Sequence, residues 1–145
     1  MEYQSTAFGY QLRLETGEEI HSSLTSFMKE IGIKGGSVIG IGALSSYSLG
    51  YYNLSENEYL RKDYDEAAEL LSCVGNLSYT AETPVAHLHV VLSNMNMETR
   101  GGHLFEGLIS ATGEFSIIDS KIKLNRLDKE KGFPFLDLPE SLILK

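Results

Sequence analysis

The chain has 145 residues, with 12 basic and 20 acidic side chains for a net charge of −8, and is 42% hydrophobic and 22% charged. That length suits one domain, which buries about 68–70% of its unfolded surface, and the composition excludes disorder, collagen and coiled coil. The apolar runs are broken well short of the ~20 residues of a membrane span, and Met1-Glu2-Tyr3-Gln4 lacks the basic start of a signal peptide. The lone cysteine, Cys73, cannot close an intrachain disulfide and sits in the apolar run Leu70-Leu71-Ser72-Cys73-Val74. It reads as a small core residue of a protein kept in a reducing cytoplasm.

In chain order, Phe8 to Leu14 alternates apolar and polar residues and predicts a strand. Thr16-Gly17-Glu18-Glu19 then has the spacing of a capping box, with Thr16 at the helix start and Glu19 reaching back to it. Ile20, Leu24, Phe27, Met28 and Ile31 fall on one face of the helix that follows, and Gly32 closes it. Gly35 to Ala43 is a glycine-dense strand without the Lys-Ser/Thr ending of a phosphate-binding loop, so its glycines signify close backbone approach or a bulge. Further strands are expected over 46–52, 58–64, 69–77, 86–92, 103–111 and 114–124. One early helix followed by many strands predicts an α+β fold, a mainly antiparallel sheet with the helix packed on one face. The apolar tail from Gly132 packs on its own domain or on a neighbouring subunit.

Three of the four histidines carry the chemistry. His87 and His89 are two apart in a predicted strand and share a face, and His103 follows on the next strand after a turn. If those strands form a hairpin, three imidazoles meet at one place, a donor set that suits Zn²⁺, Cu²⁺, Ni²⁺ or Fe²⁺, with zinc the usual occupant. Three protein ligands would leave a coordination position open to water or to a ligand. Glu106 is a candidate to orient a ring, although strict alternation sets it on the face opposite His103. His21, off the apolar stripe of the helix, is expected in solvent. No nucleophile elbow, general base or substrate can be named, so no catalytic residues are assigned. Lys121, Lys123 and Arg126 gather late in the chain, yet the acidic balance opposes phosphate binding.

Several segments together resemble the plants-and-prokaryotes-conserved (PPC) domain: Leu12 to Glu19, Gly36 to Leu44, Leu49 to Tyr52, Glu69 to Asn76, His87-Leu88-His89, and Gly101 to Gly107. The resemblance spans Tyr10 to Asn125. It implies a domain over 8–128 with a C-terminal extension over 129–145, assembly into a homotrimer, and metal binding by His87, His89 and His103. It also implies the family's DNA-binding and regulatory label. That label rests on plant members with an AT-hook, and this chain has no such Arg-Gly-Arg-Pro motif. The function expected is a DNA-binding or regulatory homotrimer with a three-histidine zinc site. The alternative is a metal-dependent enzyme or small-molecule-binding protein that uses the open site without DNA.

Overall fold

The computed structural model describes residues 1–129 and 133–138. Strand β1 (Glu2–Ser5) pairs antiparallel with β2 (Gly9–Glu15), whose alternation buries Leu12 and Leu14 and exposes Gln11, Arg13 and Glu15. The helix α1 (Ile20–Ile31) buries Ile20, Leu24, Phe27 and Met28, the stripe expected from their spacing. Its start differs from the expected capping box. Glu19 is itself the N-cap, accepting from the His21 and Ser22 backbone N–H groups at 3.0 and 2.7 Å. A carboxylate there satisfies two otherwise unpaired donors and suits the helix dipole. The Thr16 hydroxyl instead donates to the Ser110 carbonyl at 2.8 Å. At the other end Gly32 adopts φ 79°, a left-handed cap that glycine accepts without strain.

The rest of the described chain is strand and connection: β3 (Gly36–Asn53), β4 (Glu58–Tyr64), β5 (Ala68–Thr80), β6 (Thr83–Ser93), β7 (Thr99–Asp119), β8 (Asn125–Lys129) and β9 (Phe133–Asp137). Two pairs of strands expected as separate are single long ones, β3 and β7. Their mutual ladder shifts register between Gly42 and Leu44, between Leu44 and Ser46, and between Ser48 and Leu49. Bulges bend a strand without ending it, which is why the interruptions in the alternation do not become turns. Gly42 permits one such approach, since a Cβ there would lie 2.3 Å from the Thr112 carbonyl oxygen. Gly40 likewise leaves room for the Phe115 ring.

Strand β3 pairs with β5 and β7, β5 pairs with β6, and β6 pairs with β7, so the antiparallel ladders form a closed circuit. Inside it Val38, Leu44, Leu70, Leu77, Leu88, Leu92, Leu104 and Phe115 pack with the buried face of α1. Cys73 is fully buried in this core, as its apolar setting predicts. Strand β8 meets β5 in parallel through Tyr79 and Asn125, which makes the sheet mixed, and β9 pairs antiparallel with β8. The described part of the tail, β9, is joined to the sheet through β8. Residues 130–132 and 139–145 of the expected extension lie outside the described residues. Among the described residues no helix is long and apolar enough to cross a membrane.

Candidate metal centre

Strand β6 points Ala86, Leu88 and Val90 into the core, and therefore turns His87 and His89 to the other face. His103 of β7 is the direct cross-strand partner of His89, so the hairpin required by the sequence argument is present. The three ring centroids are 5.1 to 5.5 Å apart. One nitrogen from each ring can be chosen so that all lie within 4.8 Å of one another, close enough to converge on one ion. His87 and His103 are half-buried and His89 is exposed. The His103 ring also packs 4.8 Å from Phe105 and 5.2 Å from Tyr59.

Burial pushes the His87 imidazole down to about 4, aided by the charge of Arg126 and by the neighbouring rings. Burial does the same to His103, also to about 4, with His87 and His89 adding to it. Both rings are therefore neutral near pH 7, the form that can ligate a metal. His103 Nδ1 is buried without a hydrogen-bond partner among the described residues. An orphaned buried nitrogen costs about 1–3 kcal/mol, and a metal ion is one partner that removes that cost. The residues present thus fit a divalent ion on chemical as well as geometric grounds.

Other expected participants fall elsewhere. Glu106 is exposed and accepts from Arg61 Nη2 at 2.9 Å, on a different recess of the surface. His21 is not simply solvated: its Nε2 lies 2.9 Å from the Leu104 carbonyl oxygen, an acceptor, so this nitrogen carries the proton. Lys121 and Lys123 sit in the connection after β7 rather than on a strand, each paired with a carboxylate, Asp119 and Glu82 respectively.

Arg126 departs from the other late basic residues. It is 7% exposed, and its side chain lines the same cleft of about 420 Å³ as the three histidines. Tyr52, Tyr59, Phe133 and Pro134 supply much of the cleft's apolar wall. The available signal was Leu124 and Leu127 flanking an arginine in a charged stretch, a pattern that a wholly solvated strand would not need.

A small α+β domain with a histidine cluster opening on a cleft is the class that fold and site define. The chain belongs to the Plants and Prokaryotes Conserved (PCC, or PPC) domain family, whose sequence model matches residues 1–121. A "putative DNA binding protein" from Bacteroides thetaiotaomicron is similar in structure, with TM-score 0.90 and 28% identity, covering 94% of this chain and 96% of that one. A "metal-containing protein" from Archaeoglobus fulgidus has TM-score 0.82 and 33% identity, covering 95% and 97% of the two chains. The bifunctional protein GlmU of a Synechococcus species is 31% identical over 113 residues, 77% of this chain. This chain spans only 17% of the length of that curated relative.

Proposed function

We propose that this chain is a metal-binding PPC-domain protein in which His87, His89 and His103 hold one zinc ion and present its open position to a small-molecule cleft. The observation that carries the reading is the convergence of three imidazole nitrogens within 4.8 Å, one ring keeping a buried orphan nitrogen. An all-imidazole set of three suits zinc with a free coordination site, and the metal-containing relative at 33% identity supports it. When bound, such an ion supplies a Lewis acid and lowers the pKa of a coordinated water toward ~7. The protein's part is to keep His87 and His103 neutral, to carry all three rings on one hairpin, and to pack Tyr59 and Phe105 against His103.

The same reading takes the protein as a cytoplasmic homotrimer, with a domain over 8–128 extended by 129–145. Ile39, Ile41, Leu71, Val74 and Val91 project from β3, β5 and β6 into solvent, an apolar face that assembly would cover. Direct DNA binding is the second reading, favoured by the name of the Bacteroides neighbour. The net charge of −8 and the ion pairs that occupy Lys121 and Lys123 weigh against it. Metal content per chain, measured by plasma mass spectrometry on untagged protein, tests the proposal. Near one zinc per chain, lost in His87→Ala and His103→Ala, is the expected result. A folded wild type that takes up no zinc on add-back refutes it.

A further inference from the structure

We infer that the cleft is built to receive a small organic carboxylate, seated on Arg126 with its apolar body against the tyrosine and phenylalanine wall. This inference rests on the proposed function for the metal, but its central observation does not. Arg126 is a buried cation whose partners are all neutral. Its Nε donates to Ser78 Oγ at 2.8 Å, Nη1 to the Pro134 carbonyl at 3.0 Å, and Nη2 to Asn76 Oδ1. Among the described residues no Asp or Glu pairs with it, and none lines the cleft.

A desolvated charge without a counter-charge is costly, and a stable fold normally supplies the missing carboxylate from its own chain. Here the three bonds fix the guanidinium in place but do not neutralise it. Guanidinium has five N–H donors, and the three bonds use one from each nitrogen. One N–H therefore remains on each terminal nitrogen, a pair suited to a group with two oxygens. Asn76, which holds Nη2, lies directly opposite His87 in the β5–β6 ladder. Arg126 of β8 is thus held by β5, the strand beside the β6 histidines, and it lines the same cleft as they do. A divalent ion on the histidines would add to the positive charge, so this end of the cleft selects for an anion. The rest of its lining includes Tyr52, Tyr59, Val85 and Phe133, surfaces suited to an apolar body.

Calorimetric titration with benzoate and with its neutral analogue benzamide tests the inference, using full-length protein in zinc-loaded and zinc-free forms. Zinc-free wild type is expected to bind benzoate at least tenfold more tightly than benzamide, a comparison that needs no variant and no metal. In zinc-loaded protein, Arg126→Gln is expected to weaken benzoate at least tenfold with zinc content unchanged, and Arg126→Lys to restore only part of it. Equal affinity for the two probes in zinc-free wild type overturns the inference, as does full benzoate affinity in a folded Arg126→Gln protein. Loss of zinc binding with benzoate selectivity intact would instead refute the metal reading alone.

Discussion

Gly75 stands so close to His87 that a methyl group on it would lie 1.9 Å from the His87 carbonyl oxygen. The two residues belong to adjacent strands, and the approach sets the depth at which β6 carries its histidines. Gly75→Ala must therefore push β6 away from β5 or strain both. Overpacking of this kind costs about 1–3 kcal/mol. The expected outcome is a lower urea midpoint and a reduced zinc stoichiometry, the latter not shared by Gly17→Ala, where a Cβ meets nothing within 4 Å. Unchanged zinc uptake in Gly75→Ala would show that the ladder spacing does not set the site.

Zinc should stabilise the fold by mass action. At a hundredfold excess over Kd the gain is about 2.7 kcal/mol, which for a domain of this size raises Tm by about 5–10 °C. Chelator should abolish the increment, and His103→Ala should show none. His21→Ala, which lacks only the ring bonded to the Leu104 carbonyl, should keep it.

The metal-free protein should lose stability as pH falls from about 6.5 to about 4. His87 and His103 titrate near 4 in the fold against 6.5 when exposed. Between those values the unfolded chain binds more protons than the folded one, so unfolding becomes easier as the solution is acidified. Above 6.5 both states are neutral at these rings and the effect vanishes. Urea unfolding at several pH values should give a shallower slope over this window for the His87→Gln/His103→Gln double variant. An identical slope would assign the acid sensitivity to other groups.

Cys73 should be unreactive in the native state. Burial alone pushes its thiol up to about 12, which leaves almost no thiolate near neutral pH. A thiol reagent should label it only at the rate of unfolding, and rapid labelling of folded protein would contradict its place in the core.

Much of this was legible in the residues. The helix and the shared face of His87 and His89 follow from periodicity, because a side-chain repeat of 3.6 or 2 is a direct consequence of backbone geometry, whereas β4 is delimited by the polar turn before it. The meeting of His89 and His103 followed only conditionally, since alternation gives a face but not a partner strand. The unity of β3 and β7 was hidden because a bulge looks the same as a turn in the alternation pattern. Glu19 as N-cap was obscured by Thr16, a stronger capping residue three positions earlier. The burial of Arg126 was hidden for a different reason. The burial of a charged side chain depends on what packs against it, and Asn76 and Ser78 of β5 lie 50 and 48 residues away, a separation that no local repeat reports.

The cleft draws its two halves from different parts of the chain. The histidines fall within residues 1–121, the span matched by the family, whereas Arg126, Phe133 and Pro134 come after it. The proposed metal ligands and the Arg126 end of the cleft can therefore diverge independently. A descendant that rewrites only the short hairpin of β8 and β9 would exchange one guest for another and leave the imidazoles undisturbed. Grafting that hairpin between relatives would be an economical way to read out what each of them holds.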